Sequence, residues 1–438
     1  MSTAIRLVSS FPEKNLPCDL ARTLAVMIGH TLGVIGAKEL SDGRLLSWST
    51  DGTLRCWDSH SGLPLALLEG HRRAVRGVNV LSDGRLLSWS DDGTLRLWDG
   101  NSGLPLAVLE GHTKSVRGVE LLSDGRLLSW SNDRTLRLWD GNSGLPLAVL
   151  EGHTGQIRGA MALSNGRLLS WSYDGTLGLW DANSGLSLAV LEGHTDWIKG
   201  AKELSDGRLL SLSYDSTLRL WDSNSGKPLA VLVGHSNWID GAEELSDGRL
   251  LSWSYDGTLR LWDSNGTQMV VLVGHTSSVT DVDVLSDGRL LSRSEDGALL
   301  LWDGNSGKPL AELEGHTKLI RGVEVLSDGR ILSWSDDGTL RLWDGNSGKC
   351  LAVLNGHTSM VWGAEELSDG RLLSWSRDHT LRLWDGHSGL SLAVLEGHTS
   401  MITGAEVLFD GRLLSWSADG TLRLWDVNSG KPLFELEG

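Results

Sequence analysis

Several residue types that identify common classes of protein are scarce in this chain. It contains only 3 Cys, 8 Pro, 3 Tyr and 3 Phe in 438 residues. Cys18, Cys56 and Cys350 are an odd number at unrelated spacings, so they predict neither a disulfide framework nor a Cys-x-x-Cys metal site. No apolar run reaches the roughly 18 residues of a membrane span, and the first residues lack the basic and apolar regions of a secretory signal. We therefore expect a cytoplasmic protein with reduced thiols and no membrane partner.

The charge balance is acidic. Lys and Arg number 39 against 56 Asp and Glu, for a formal net charge of −17. A protein that binds nucleic acid through a general positive field needs the opposite balance, so no nucleic-acid partner is expected. Hydrophobic residues make up 40% of the chain, which is enough for a substantial core and excludes wholesale disorder.

Two dipeptides recur with a period of 41 residues. Gly-His pairs end at His30, His71, His112, His153, His194, His235, His275, His316, His357 and His398. Trp-Asp pairs begin at Trp57, Trp98, Trp139, Trp180, Trp221, Trp262, Trp302, Trp343, Trp384 and Trp425. One step in each series is 40 residues, because the turn Ser264-Asn265-Gly266 is one residue shorter than its counterparts. A repeat architecture is therefore indicated.

Each repeat contains four short apolar runs separated by Ser-Asp-Gly, Asp-Gly and Asn-Ser-Gly. Such turns join antiparallel strands, so each repeat predicts a four-stranded sheet. One sheet cannot bury both of its faces alone. Packing successive sheets face to face buries them, and a closed circle removes the exposed ends of the stack.

The Gly-His and Trp-Asp signature at this period resembles the WD40 family of β-propellers, and in particular bacterial propellers with recently amplified, near-identical repeats. The resemblance implies an all-β propeller of ten four-stranded blades over residues 30–438. It also implies a structural network of four side chains in every blade. The matching residues are His71, Ser90, Asp92 and Trp98 in the second blade, and His194, Ser213, Asp215 and Trp221 in the fifth.

A serine, a histidine and an aspartate also invite comparison with a hydrolase triad. Ten copies of one triad in a chain favour the structural interpretation instead, in which indole, hydroxyl, imidazole and carboxylate satisfy one another's hydrogen bonds. The Asp-Gly-Asn-Ser-Gly turns lack the further acidic ligands of a calcium loop. We therefore predict no catalytic residue, no metal site and no cofactor.

Ten blades exceed the usual four to eight. Eight repeats have Trp between the two serines of the second strand: Trp48, Trp89, Trp130, Trp171, Trp253, Trp334, Trp375 and Trp416. An indole near the axis would hold neighbouring sheets apart and reduce the wedge angle from about 51° for seven blades to about 36° for ten. One closed ring is thus predicted, with a broken ring or an assembly between chains as alternatives. Residues 1–29 resemble a degenerate half-blade, either a clasp or an oligomer contact; the oligomeric state is not predicted.

Ten internal copies also show which positions differ from repeat to repeat. Variation concentrates three and five residues after each Gly-His histidine and immediately before each network aspartate. In the WD40 family these loops surround one mouth of the central channel. The aromatic residues at these positions cluster in blades four to six: Tyr173, Trp197, Tyr214, Trp238 and Tyr255. A basic arc over blades two to five borders them at Arg76, Arg117, Arg158 and Lys199, and an apolar arc lies opposite at Leu319, Met360, Trp362 and Met401. Arg321 is a further candidate for partner binding.

Aromatic residues and arginine are typical of protein-binding hot spots. We therefore predict a non-enzymatic scaffold or recognition module that binds a protein or peptide with acidic and apolar groups on the Gly-His face. The alternative function is a small-ligand or glycan-binding propeller, since indoles stack on sugars and cations. The same pattern has two structural interpretations. The copied repeats have drifted in sequence at exposed positions, or the aromatic rings pack together to fill a wide channel mouth.

Overall fold

The computed structural model describes residues 29–436 and consists of ten four-stranded antiparallel sheets. The first strands are Val34–Glu39, Val75–Val80, Val116–Leu121, Ile157–Ala162, Ile198–Glu203, Ile239–Glu244, Val279–Val284, Ile320–Val325, Val361–Glu366 and Ile402–Val407. The second strands are Leu45–Ser49, Leu86–Ser90, Leu127–Ser131, Arg167–Ser172, Leu209–Ser213, Leu250–Ser254, Leu290–Ser294, Ile331–Ser335, Leu372–Ser376 and Leu413–Ser417.

The remaining strands complete each sheet toward the outside of the molecule. The third strands are Leu54–Trp57, Leu95–Trp98, Leu136–Trp139, Leu177–Asp181, Thr217–Trp221, Thr258–Trp262, Leu299–Trp302, Leu340–Trp343, Leu381–Trp384 and Leu422–Trp425. The fourth strands are Pro64–Leu68, Pro105–Leu109, Pro146–Leu150, Ser187–Leu191, Pro228–Val233, Gln268–Val273, Pro309–Leu313, Cys350–Leu354, Ser391–Leu395 and Pro432–Leu436. Each sheet pairs its strands in sequence order, and first strands of neighbouring sheets contact one another around the axis.

The core is divided into ten hydrophobic clusters, one between each pair of neighbouring blades. Ten blades with ten junctions form a closed ring, because an open arc would have one junction fewer. The closing cluster packs Val34 and Trp57 of blade one against Leu414 and Leu424 of blade ten. The predicted ring of ten four-stranded blades is therefore confirmed. The half-blade prediction for residues 1–29 falls, apart from Gly29, outside the described residues.

Polar contacts repeat across the junctions, including the closing one. The backbone N–H of Phe409 in blade ten donates to Glu39 Oε2 of blade one over 2.7 Å. The arginine that ends the turn between the first and second strands crosses the same junction, and at eight junctions its guanidinium donates to a backbone carbonyl in the next blade. At the closing junction this bond joins Arg412 Nη1 to the carbonyl of Ser59. The ring thus closes with the same contacts that join its other blades.

The tryptophans between the two serines lie over glycines of the innermost strand. Gly36 pairs with Trp48 across the first two strands of blade one, and a Cβ on Gly36 would lie 2.3 Å from Trp48 Cζ2. The indole also packs against the cluster between blades one and two. The same glycine and tryptophan meet in all eight blades that carry the indole. Each indole therefore occupies the inner part of a blade junction, as the spacer hypothesis requires.

The two blades without this tryptophan use a different pair at the same place. In blade five, Leu212 lies opposite Gly200, and a Cβ added to Gly200 would lie 3.4 Å from the leucine side chain, an ordinary contact. In blade seven, Asp281 replaces the glycine and forms an ion pair with Arg293. The residue on the first strand thus changes with the residue on the second. The sequence-based predictions did not link these positions, although the ten copies contain the covariation.

Candidate functional site

Two loops of every blade lie side by side on the Gly-His face. The residue before the network aspartate donates its backbone N–H to the carbonyl of the residue three positions after the histidine, as from Tyr214 to Trp197 over 3.0 Å and from Tyr255 to Trp238 over 2.9 Å. The corresponding bond is present in all ten blades. The variable position before the aspartate and the one three residues after the histidine therefore form a pair in every blade, and ten such pairs lie around the ring on the Gly-His face.

Five aromatic rings from blades four to six form a continuous row, which we call the aromatic ladder. Its members in order are Tyr173, Trp197, Tyr214, Trp238 and Tyr255. Successive ring centroids are 4.7, 6.1, 4.8 and 5.9 Å apart, with tilted or edge-on planes. These are favourable aromatic geometries, so the row is held together by its own ring contacts. The structure thus brings together all five aromatic residues that the sequence analysis placed in blades four to six.

The ladder still presents a large apolar surface to solvent. Trp197 is 50% exposed and Trp238 is 48% exposed. Tyr173 beside Trp197, and Tyr214 between the two indoles, are half-buried. The ring contacts therefore do not fill the channel mouth with a closed aromatic core. Exposed indoles that are held in place by neighbours lose little conformational freedom on binding, which suits them to act as anchors.

Charged side chains next to the ladder are already paired within the protein. Arg158 Nη1 donates to the hydroxyl of Tyr173 over 3.0 Å, and its guanidinium carbon lies 5.7 Å from the centre of that ring. Lys199 forms an ion pair with Asp240. Burial, with Asp240 as a further contributor, raises the pKa of Tyr255. Of the two cations that border the ladder, Lys199 is thus compensated by a carboxylate, whereas Arg158 is held by the Tyr173 ring and hydroxyl and keeps its charge.

Two other predicted cations are also neutralised. Arg76 and Arg321 form ion pairs with Asp91 and Asp336, at 2.5 and 2.6 Å. Both aspartates stand at the variable position before the network aspartate, so an arginine in one loop is matched by a carboxylate in the other. Arg117 is exposed and forms no ion pair with any described residue. Three of the five predicted cations, Arg76, Lys199 and Arg321, are therefore in ion pairs. The repeated combination of arginine and aspartate could have revealed the pairs of Arg76 and Arg321.

The predicted apolar arc is less continuous than the ladder. Leu319, Met360 and Met401 are half-buried. Trp362 is 40% exposed, and the guanidinium carbon of Arg321 lies 5.2 Å from the centre of its ring. The arc thus contains one exposed indole, already stacked by a cation of the neighbouring blade, and it offers no row of rings comparable to the ladder.

The network of each blade is a buried chain of hydrogen bonds. In blade two, His71 Nδ1 lies 3.1 Å from Asp92 Oδ2, and His71 Nε2 lies 2.8 Å from Ser88 Oγ. Trp98 Nε1 donates to the same Ser88 Oγ over 2.8 Å. One proton arrangement satisfies all three: the indole donates to the hydroxyl, the hydroxyl donates to Nε2, and Nδ1–H donates to the carboxylate.

The sequence assignment of the network serine is wrong by two residues. Ser88 and Ser211 occupy the place given to Ser90 and Ser213. Alternation directs both serines of the second strand to the same face, so spacing alone does not choose between them. The indole reaches the first one. Ser90 lies nearer the loop, where its hydroxyl donates to the carbonyl of Arg73 and accepts the N–H of Asp92.

The charge state of the network follows from its burial. Burial alone would raise the pKa of Asp92, but hydrogen bonds from His71, from backbone N–H groups and from Thr94 hold that pKa well below its usual range. Burial lowers the pKa of His71. An ionised aspartate beside a neutral histidine resembles a hydrolase triad, yet Ser88 is completely buried. No substrate reaches a hydroxyl that is covered by the indole, so this network stabilises the blade.

The turns that resemble calcium loops use their carboxylates locally. The Oδ1 atom of Asp99 accepts the backbone N–H and the hydroxyl of Ser102, both over 2.7 Å, and Gly103 follows with a φ of +70°. These bonds define a tight turn. Within residues 29–436 no group of three or more His, Cys, Asp or Glu side chains is arranged to hold a metal ion. The described part of the chain also has no helix that could span a membrane.

Carboxylates on the innermost strands join neighbouring blades. Glu203 of blade five accepts the backbone N–H and the hydroxyl of Ser164 in blade four, at 2.8 and 2.6 Å. Glu365 is different, because its Oε1 atom is buried without a hydrogen-bond partner among the described residues. Burial and the nearby carboxylates of Glu324 and Glu406 raise the pKa of Glu365 to about 7. This side of the axis therefore carries charge that changes near neutral pH.

The closed ring of four-stranded blades defines the class of protein as a β-propeller. Nine segments match the family description "WD domain, G-beta repeat": residues 62–99, 103–140, 144–181, 185–222, 226–263, 266–303, 307–344, 348–385 and 389–426. The chain belongs to the WD40 repeat family, as its repeated dipeptides had indicated.

Two solved structures are among those similar to the chain. The computationally designed protein Ika8 is 28% identical, with a TM-score of 0.49 over 73% of this chain and 98% of that one. The WD40 beta propeller domain of Doa1 is also 28% identical, with a TM-score of 0.39 over 64% of this chain and 95% of that one. No curated protein matches the chain.

Proposed function

We propose that this propeller is a non-enzymatic scaffold that binds a protein or peptide on its Gly-His face, with the aromatic ladder as the centre of the interface. The observation that carries the proposal is the row of five rings, in which Trp197 and Trp238 are about half exposed. Trp and Tyr are enriched among residues that dominate binding energy, because they bury a large area and have few rotatable bonds.

The surroundings of the ladder define the chemistry of the partner. Apolar side chains of the partner would cover the two indoles and exclude water from them. Acidic groups would find two predicted cations that form no ion pair within the described residues, Arg117 and Arg158, because Lys199 and Arg76 already have carboxylate partners. The proposed partner is therefore mainly apolar at its centre, with a smaller acidic component than the sequence suggested.

The proposed location is the cytoplasm, where thiols stay reduced. Cys56 and Cys350 are both free in the structure. Burial raises the pKa of the Cys56 thiol to about 11, so this side chain behaves as an unreactive part of the core. Neither residue supports a function that depends on disulfide chemistry.

A glycan or another small ligand is the second candidate, favoured by the exposed faces of Trp197 and Trp238. Indole faces stack on sugars and on cations. Against this function, a lectin built by repetition would carry equivalent sites in many blades, whereas the ladder occupies blades four to six only. The ring of Tyr214 also lies between the two indoles and contacts both, which leaves less room for a sugar ring to insert between them.

The experiment that tests the scaffold function is selection of peptides from a random display library on the immobilised protein. Selected peptides are then titrated against wild type, against a variant with Trp197→Ala, Tyr214→Ala and Trp238→Ala, and against Trp362→Ala. The last variant is a matched control, since it removes an exposed indole from the same face outside the ladder. Melting temperatures of all three proteins confirm that each is folded.

We expect the triple variant to lose at least tenfold in affinity and the Trp362→Ala control to bind like wild type. Equal losses in both variants would refute the ladder as the centre of the interface. A sugar array probed with the same proteins separates the two candidate functions: binding of a glycan that the triple variant loses, with no selected peptide, would favour the second.

A further inference from the structure

The aromatic ladder carries hydrogen-bond donors that the protein does not use. An indole has one N–H donor and no acceptor. The side-chain N–H groups of Trp197 and Trp238 donate to no residue within 29–436, and the hydroxyl of Tyr214 between them has no hydrogen-bond partner there either. Both indoles are also about half exposed. The surface of the ladder therefore combines apolar rings with donors that lack partners.

This combination favours a partner chain that offers acceptors and few donors. Proline has a backbone carbonyl but no N–H, and its side chain is a compact apolar ring. A polyproline II helix has no internal hydrogen bonds, so its carbonyls are free to accept, whereas the carbonyls of an α-helix are already bonded within the helix. A single β-strand has free carbonyls, but its N–H groups would also need partners. A proline-rich segment in the polyproline II conformation therefore fits the chemistry of the ladder best.

The spacing of the two indoles agrees with the pitch of this helix. The ring centre of Tyr214 lies 6.1 Å from that of Trp197 and 4.8 Å from that of Trp238, so the two indoles are at most about 11 Å apart. A polyproline II helix has three residues per turn and rises about 3.1 Å per residue, so prolines on one face recur about every 9 Å. Prolines one turn apart are therefore spaced to contact one indole each, as in the aromatic-lined grooves that bind such helices.

The two ends of the ladder carry opposite charge. Arg158 contacts the ring and the hydroxyl of Tyr173 and forms no ion pair within the described residues. Near the other end, Glu295 of blade seven is exposed and likewise forms no ion pair with a described residue. Burial raises the pKa of Tyr255, and Glu295 is among the charged groups that raise it further, so this carboxylate lies close to the last ring. A bound segment therefore gains from an acidic group toward Tyr173 and a basic group toward Tyr255.

We propose that the ladder binds a proline-rich segment of another protein in the polyproline II conformation, with an acidic side chain at the Tyr173 end and a basic side chain at the Tyr255 end. This inference rests on the proposed function and adds the conformation and composition of the partner. Such a segment is already extended and stiff before it binds, so it loses little conformational entropy at the ladder.

Calorimetric titration with a decaproline peptide that is blocked at both ends tests the conformation. Decaproline built from D-residues is the matched control, because it has the same composition and apolar area but forms a helix of the opposite hand. We expect it to bind at least tenfold more weakly than the L-peptide. Equal affinities of the two peptides, or no binding of the L-peptide, would overturn the proposal.

Two further peptides test the charged ends. One carries Glu before the first proline and Lys after the last, and the other has these two residues exchanged. We expect one of them to bind at least threefold more tightly than the other, with a smaller difference at high ionic strength. Equal affinities at low ionic strength would overturn the placement of the charges.

Variants of the protein locate the site. Combining Trp197→Phe with Trp238→Phe keeps two aromatic rings but removes both indole donors, and should weaken decaproline binding at least about fivefold. Phe409→Ser is the control, since Phe409 is 84% exposed in the turn between the first and second strands of blade ten, away from the Gly-His face. This control should bind like wild type, and melting temperatures show that all variants are folded. Equal losses in the two proteins would overturn the proposal.

Peptides selected from the display library separate this inference from the proposed function. A selected peptide without proline that loses affinity in the triple ladder variant, together with no binding of decaproline, would overturn the proline assignment and leave the ladder as the interface. Absence of any peptide that depends on the ladder would overturn both. Enrichment of proline among the ladder-dependent peptides is the result expected.

Discussion

A methyl group added to the inner glycine should destabilise the protein in blade six and be tolerated in blade five. In Gly241→Ala the new Cβ would lie 2.0 Å from Cζ2 and 2.3 Å from Cε2 of Trp253. That indole is buried in the cluster between blades six and seven, so it has little room to move. Forcing extra volume into a packed site costs about 1–3 kcal/mol. We expect a clear fall in melting temperature, measured by circular dichroism or calorimetry.

Gly200→Ala provides the matched control in the neighbouring blade. Its Cβ would lie 3.4 Å from Leu212 Cδ2, an ordinary contact. Replacing glycine by alanine without strain stabilises a protein by about 0.4–1 kcal/mol, because the unfolded chain loses freedom. Trp253→Leu, which reproduces the leucine of blade five, should destabilise the Gly241→Ala protein less than it destabilises wild type, because it also removes the clash. Equal melting temperatures for Gly241→Ala and Gly200→Ala would refute the role of the indole in filling this junction.

Three further predictions concern single side chains, each read from melting temperatures. Ser88→Ala leaves the buried Trp98 N–H without its acceptor and should cost about 1–3 kcal/mol, whereas an unchanged stability would contradict the network. Ala298→Thr restores the hydroxyl beside His275 that a threonine supplies in the other blades, and should stabilise blade seven by about 0.5–1.5 kcal/mol. A loss of stability would contradict the role of this hydroxyl in the hydrogen-bond network. Glu365→Gln should change the dependence of stability on pH. Burial raises the pKa of Glu365 from 4.5 to about 7, so the wild-type protein loses stability as pH rises through that range. Above pH 7 the variant should therefore melt at a higher temperature than wild type. Parallel profiles would show that this carboxyl does not titrate as described.

The period of the repeat was sufficient to predict the strands, the ten blades and the closed ring. Strand order and turns are local consequences of the sequence, and ten complete copies determine the number of sheets. The aromatic ladder was also predictable, because comparison of the copies separates variable surface positions from those that folding keeps constant. The ring contacts between Trp197 and Tyr214 confirm that residues from two variable positions meet.

Features that depend on strand register were not predicted. Ser88 and Ser90 point to the same face, and only the reach of the Trp98 indole selects one of them. The compensation of Arg76 by Asp91 required knowledge that two loops lie side by side. In each case the physical determinant is a contact between segments that the sequence separates, although covariation among the ten copies contains part of the information.

The most direct test of the proposed function is a hydrogen–deuterium exchange footprint of a library-selected peptide bound to the wild-type protein. If the ladder is the interface, binding should slow exchange in the loops that carry it, around residues 195–199, 236–240 and 213–215. Loops of blades nine, ten and one on the same face should exchange as in the free protein. Protection confined to the outer strands or to the Ser-Asp-Gly-Arg turns would contradict the account.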